Sequence, residues 1–434
     1  MTHGVGGGPD STTTRLEKVD GVSRSSFADE GLAGRTVGVL ALISTINALS
    51  TSAYLPALPS VGADLSASTS TVQLTLTAYL LGIAVGQLTW GPISDAAGRR
   101  RPLLVGLTCY VLASALCALA PTPALLLAFR ALQGWAACSG TVLSRSVVAD
   151  HTEGTRLAQQ LTTLLLLGVL APIAAPLVGS ALLIVGSWRT VFWFLSAMGL
   201  PMLLGAWLTV DESLPPGRRR PFGACELART VGGLLTNRCF TGYAVALASA
   251  FATMFVFMSA APFLFQERLG LSAQQYGWVN AGIAACLGAA MALVNLRLGR
   301  QAERAQANPA GIARFGLVAL VAATGCVLIA ALVDAPAPVW IVVLALAAAS
   351  LAPIAGSTMS LALGQARASI GTGTALVGVA QAMLGALAAP LAGLGGAHNP
   401  LPMALTMLGA AGLATAAFAV ARRGRPATTG DASR

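Results

Sequence analysis

Ionisable side chains are scarce in this chain, and three places put them together. The first is Gly91-Pro92-Ile93-Ser94-Asp95-Ala96-Ala97-Gly98-Arg99-Arg100-Arg101-Pro102, one carboxylate beside three guanidiniums. Asp95 can attract an Arg or a helix N-terminus across the interface between two halves of the chain, and that contact can hold one arrangement of helices shut. Gly91 and Gly98 suit a tight turn and close backbone approach. The second is Arg130 with Gln133 three residues on, a spacing that shares one helical face. The third is Asp150, a carboxylate able to take up a proton, with Arg145 five residues earlier.

Other chemistry has no residues to carry it. No paired acids, nucleophile elbow, phosphate-cradling glycine loop or Walker sequence stands in a suitable context, so an enzyme or a self-contained ATP-driven pump is not indicated. His3, His151 and His398 are scattered, and the seven Cys form no C-x-x-C pair. No metal, cofactor or disulfide scaffold is therefore expected.

The rest of the composition fixes the solvent. Of 434 residues, 55% are hydrophobic and 10% charged, with a mean hydropathy of +0.74. An ordinary soluble domain carries roughly 25% charge. A membrane helix needs about 20 mostly apolar residues. Twelve such runs are predicted, at 36–57, 71–90, 102–120, 124–147, 159–184, 190–209, 239–264, 275–297, 312–333, 338–362, 372–394 and 401–421. They are apolar over too great a length for strands of a barrel. The expected fold class is thus all-α integral membrane, with 12 transmembrane helices.

Basic residues set the orientation. With the N-terminus inside, the outer loops hold only Arg189 and Arg268, and the clusters Arg99–Arg101, Arg218–Arg220 and Arg422–Arg423 lie inside. The formal charge of +10 then reflects topology and anionic headgroups rather than nucleic acid. Both termini are expected in the cytoplasm. Residues 1–35 read as a disordered tail and 422–434 as a second tail. The long polar segment 210–238 divides the chain into six-helix halves, 36–209 and 239–421. Two six-helix halves around a midplane site are a usual transporter architecture.

The loop from Gly91 to Arg100 resembles the signature G-x-L-x-D-R-x-G-R-[RK] of the major facilitator superfamily; Gly91, Asp95, Gly98, Arg99 and Arg100 match, and Ala96 departs. Leu126-x-x-x-Arg130-x-x-Gln133-Gly134-x-Ala136-Ala137 is similar to the family's second motif, whose Arg is associated with proton coupling. Ala171-x-x-x-Ala175-Pro176-Leu177-Val178-Gly179-Ser180 resembles the G-x-x-x-G-P-x-x-G-G motif typical of exporters; Pro176 and Gly179 match, with small residues such as Ala175 for other glycines. With Tyr54-Leu55-Pro56, Ser187-Trp188-Arg189 and the segment from Gly371 to Gln381, the chain looks like the Bcr/CflA branch of twelve-span drug exporters, which includes bicyclomycin and chloramphenicol efflux proteins.

That resemblance implies an antibiotic exporter in the cytoplasmic membrane that exchanges a small hydrophobic or amphiphilic drug, of chloramphenicol type, for protons, acting as a monomer. Related exporters carry an acid just before the Tyr-Leu-Pro sequence; Ser52 takes that place here, and none of the 16 acids falls in mid-span. Two readings stay open. Asp150 takes the proton with help from Arg145, or coupling is weak, indirect or absent, as in facilitated export of an endogenous metabolite. Arg130 should face water or a polar partner. Asn47, Ser52, Tyr54, Phe255, Met258 and Gln381 are the candidates for the substrate cavity.

Overall fold

A bilayer core offers no water to exposed backbone groups, so a chain this apolar must satisfy them within helices. All regular structure among the described residues is helical. The computed structural model describes Met1 and residues 34–152, 154–219, 224–303, 308–366, 369–396 and 398–423. Nearly all of the two expected tails lies outside them.

Twelve long helices form two sets of six. The first is α1 (Gly34–Asp64), α2 (Thr69–Ala97), α3 (Arg100–Ala118), α4 (Pro123–His151), α5 (Gly154–Val185) and α6 (Trp188–Thr209). A short α7 (Ala224–Thr236) follows. The second is α8 (Arg238–Arg268), α9 (Ala273–Arg297, running on to Glu303), α10 (Pro309–Leu332), α11 (Ala337–Leu363), α12 (Ile370–Gly393) and α13 (Leu401–Arg423). Each predicted span has its helix, usually a few residues longer at the ends.

Eleven of the twelve are long and apolar enough to cross a membrane on composition alone. The exception is α4. Its 29 residues give roughly 43 Å at about 1.5 Å per residue, ample for a bilayer. It carries Arg130, Gln133, Ser139, Thr141, Ser144 and Arg145, so the least apolar span is the one with the most chemistry.

Turn residues at the predicted breaks act as caps. Thr122 accepts from Leu125 N ahead of Pro123, Ser68 from Thr71 N, and Asn237 from Cys239 N and Phe240 N. Such caps satisfy amides that a helix start leaves orphaned. Gly98 (φ 91°) and Gly270 (φ 71°) end their helices in conformations that favour glycine. Gly91 makes no turn: α2 runs through it to Ala97, and Ser94 Oγ bonds back to Gly91 O at 2.8 Å.

The segment 210–238 is more ordered than its polarity implies. It holds a 3-10 turn at Pro216–Arg218 and then α7. Val231 and Leu234 share one arc of α7, and Leu234 is buried against the second half.

Within the first half, α4 is the hub, packed on α2 and α3; in the second, α8 lies against α12 and α13. The halves meet along α2 with α12 and α5 with α9. Glycines let α2 and α4 touch at main-chain distance. A Cβ at Gly82 would collide with Ala131 O, and one at Gly134 with Tyr79 O. Gly134→Leu should therefore lower the thermal midpoint of the purified protein by the equivalent of about 1–3 kcal/mol or more. Gly409→Leu, at a glycine with nothing within 4 Å, should leave it unchanged.

Candidate functional site

The two ends of the molecule are bonded differently. Call the end with the 98–99 loop and the 210–219 segment the basic end. There Arg99 is the centre. Its Nη1 donates to Asp95 Oδ1 (2.5 Å) and Ser94 Oγ (2.6 Å), and its Nε to Asp150 Oδ2 (3.0 Å). Glu212 accepts from Arg99 N (2.7 Å) and pairs with Arg219 (3.7 Å). Ser213 Oγ donates to Asp150 Oδ2 (2.9 Å), and Arg100 Nη2 to Trp207 O (2.8 Å). Burial opposes the charge on Arg99, but Asp150 and Asp95 outweigh it and raise its pKa above the usual guanidinium value.

This latch corrects two expectations. Asp150 pairs with Arg99 and not with Arg145, because the loop after α2 folds over the end of α4. Asp95 finds its partner on its own loop rather than across the halves. Gly98 is where the loop meets the linker: a Cβ there would strike the Glu212 carboxylate.

Deep in the first half, Arg130 is wholly buried. Its Nη1 donates to Gln133 Oε1 (2.6 Å) and Ser50 O (3.3 Å). Gln133 Nε2 donates onward to Ser114 Oγ (2.8 Å). The guanidinium carbon lies 4.3 Å from the Tyr79 ring centroid, 4.7 Å from Tyr54 and 5.6 Å from Phe192. Nε and Nη2 have no hydrogen-bond partner among the described residues. An Arg in mid-membrane costs about 2.5–3.5 kcal/mol on insertion scales, and each desolvated ring contact returns about 0.5–2 kcal/mol. Three rings are therefore of the size needed to hold the cation without a carboxylate. Arg130 is thus enclosed by helices rather than set on an open lining, and Gln133 is its polar partner.

A second strand of the network leaves this nest. Tyr79 Oη donates to Asn47 Oδ1 (3.1 Å), and Asn47 Nδ2 to Thr141 Oγ1 (2.6 Å). Asn47 is half-buried, at the edge of the packed region.

The opposite end is sealed between the halves. Ser70 Oγ donates to Gly393 O (3.0 Å), Gln73 Nε2 to Ser259 O (3.3 Å), Thr77 Oγ1 to Ala386 O (3.1 Å) and Gln266 Nε2 to Pro56 O (3.1 Å). Among the described residues these are the hydrogen bonds that join the halves, and none of the five ion pairs does so. The Ala175-Pro176-Gly179 stretch of α5 belongs to this seal. A Cβ at Gly179 would collide with Ala53 O of α1, while Pro176 O and Ser180 sit against Gly277 of α9. Arg189 and Arg268, the two basic residues expected in the outer loops, pair with Asp64 and Asp334 within their own halves.

The remaining cavity candidates are dispersed. Ser52 and Tyr54 are buried in α1 packing, and Met258 is buried in the core. Phe255 packs on Gly385 of α12. Gln381 is half-buried and makes no hydrogen bond among the described residues. Sequence reasoning missed Tyr79, Phe192, Gln73 and Gln87, the last lying against Gly378 of the other half. Gln73 and Gln87 carry the signal that singled out Gln381, an amide within an apolar run.

Two six-helix halves, joined at one end and latched separately at the other, define a polytopic membrane protein of two-bundle architecture. The chain belongs to the Major Facilitator Superfamily, whose family pattern matches residues 40–390. An MFS-type transporter of Bacillus subtilis, YdgK, is 39% identical over 242 residues, 55% of this chain and 60% of that protein. Multidrug resistance protein MdtL of Escherichia coli is 29% identical over 228 residues, 52% of this chain and 57% of that one. The chain thus spans about three-fifths of the length of these curated relatives. Both are named as transport or resistance proteins, not enzymes. Among solved structures, a bacterial homologue of the human lysosomal transporter Spinster superposes with a TM-score of 0.69 at 19% identity, over 90% of this chain and 98% of that one. A D-xylose–proton symporter does so with a TM-score of 0.71 at 15% identity, over 88% and 96%. At these identities the likeness is one of fold.

The latch geometry makes a test. Alanine at Gly98 would bear an unfavourable backbone conformation, on the order of 1–3 kcal/mol, and its methyl would displace Glu212. Gly98→Ala should therefore release the linker, and trypsin should cut after Arg219 several-fold faster. Gly217→Ala, with open space around it, should cut at the wild-type rate.

Proposed function

We propose that the chain exports small hydrophobic or amphiphilic antibiotics of chloramphenicol type across the cytoplasmic membrane by alternating access. The basic end faces the cytoplasm, as the distribution of Arg and Lys favours. The observation that carries this reading is the asymmetry between the ends. Neutral hydrogen bonds close the halves at the outer end, while at the inner end, among the described residues, the latch makes no hydrogen bond or ion pair to the second half. A rocking motion that breaks the first set and brings the inner ends together would expose a central site to each side in turn. The resemblance to the Bcr/CflA branch and the similarity to MdtL support a drug as cargo.

Exchange for protons is the favoured energy source. Asp150 is the candidate carrier, since its carboxylate already sits in a hydrogen-bonded cluster at the inner end. One charge crossing the membrane gains about 2.3 kcal/mol per 100 mV, ample for a modest drug gradient. The absence of any mid-span acid favours a second reading, facilitated export of an endogenous metabolite.

Drug susceptibility of cells expressing the chain separates the two. Raised tolerance to chloramphenicol that disappears with a protonophore supports proton-driven export. Tolerance that survives the protonophore supports the second reading, and unchanged tolerance refutes chloramphenicol-type export. Asp95→Asn removes one anion from the Arg99 cluster and should slow export several-fold with membrane insertion unchanged; a wild-type rate would leave the loop a topological device only.

A further inference from the structure

Arg145 belongs to neither the latch, the nest nor the seal. Among the described residues it has no hydrogen-bond or ion-pair partner, and its side chain is exposed. Yet it stands six residues inside the end of α4, about 9 Å deep at about 1.5 Å per residue. Its strip of α4 is turned inward. One turn earlier Thr141 bonds to Asn47 of α1, and seven residues earlier Cys138 lies against Gly86 of α2. Lipid-facing positions of α4 such as Leu125 and Leu132 lie elsewhere on the helix.

The charge inventory gives this position its meaning. Every Asp and Glu of the twelve spans lies within five residues of a span end: Asp64, Asp95, Asp150 and Glu267. Arg130 and Arg145 are the charged residues set deeper than that, and both are on α4. α8, α11, α12 and α13 hold no charge beyond the last two residues at either end. A substrate that enters from the basic end and passes the latch, where Asp150 is already paired with Arg99, would come within the field of Arg145 and then of Arg130, the two charges set deepest in the spans.

We propose that α4 sorts cargo by charge: the passage accepts neutral and anionic amphiphiles and turns away lipophilic cations, with Arg145 as the selecting residue at its inner mouth. The proposal rests on the export reading above and narrows it. A unit charge about 10 Å away across an effective dielectric of about 20 changes affinity by somewhat more than tenfold. That is enough to separate amphiphiles of similar size and apolar area.

The test is equilibrium binding to the purified full chain in lipid nanodiscs. The probes are chloramphenicol (neutral), nalidixate (anionic) and tetraphenylphosphonium (cationic). Wild-type protein should bind the first two, and tetraphenylphosphonium at least tenfold more weakly than chloramphenicol. Arg145→Gln should narrow that ratio about tenfold, while Arg145→Lys keeps it, and chloramphenicol binding should hold in both. Equal binding of tetraphenylphosphonium and chloramphenicol by the wild type overturns the charge filter and leaves the export reading standing. An unchanged ratio in Arg145→Gln also overturns it, because Arg145 would then only reach for headgroups. Failure of all three probes to bind removes the export reading and the filter with it.

Discussion

A guanidinium within the hydrocarbon thickness has to be wrapped, and the wrapping of Arg130 organises the first half. Its neighbours come from five helices: Ser50 and Tyr54 from α1, Tyr79 from α2, Ser114 through Gln133 from α3 and α4, and Phe192 from α6. Aromatic faces and a main-chain carbonyl replace the water that the cation gave up. None of these partners is a carboxylate, so no ion pair holds the charge in place. The nest therefore fixes the relative positions of α1, α2, α4 and α6 as a rigid unit. Gly82 and Gly134 permit this by letting α2 and α4 meet at main-chain distance.

The two ends then differ in what it takes to separate them. Among the described residues, the seal opposite the basic end consists of four neutral hydrogen bonds between halves, each about 0.5–1.5 kcal/mol net. Their sum is a few kcal/mol, the scale of the gap between two populated conformations. The ion pairs of the latch at the basic end lie within the first half and its linker, so none of them has to break for the opposite end to open. Strong bonds hold each half together, and weak ones join the halves. A rigid-body rocking motion needs that division.

Much of this fold was legible in the sequence because the bilayer imposes it. Long apolar runs gave all twelve spans, and α4 was found although it is the least apolar. The partners inside the site were not legible. Asp150 meets Arg99 across 51 positions of sequence, and nearness along the chain pointed to Arg145 instead. Tyr79 and Phe192 look like packing residues, since an aromatic in an apolar run carries no mark of a cation beside it. Gln73 and Thr77 donate to main-chain carbonyls, and a carbonyl acceptor has no sequence signature. The segment 210–238 looked like a plain linker because α7 is too short and too polar to register as a span.

The irregular stretch of α1 draws the parts together. Between Ser50 and Pro56 the helix passes from α to 3-10 geometry, ahead of Pro56 and Pro59, which lack the amide needed to continue the ladder. Three carbonyls along it are engaged by different elements. Ser50 O accepts from Arg130, Ala53 O lies against Gly179 of α5, and Pro56 O accepts from Gln266 of the other half. The buried cation, the small-residue face of α5 and the outer seal are thus tied to seven consecutive residues. A shift of this stretch by one hydrogen-bond length would be felt at all three. Ser52, where related exporters place an acid, sits in its middle. With no charge at that point, what ties the nest to the seal along these residues is backbone geometry and not a titrating side chain.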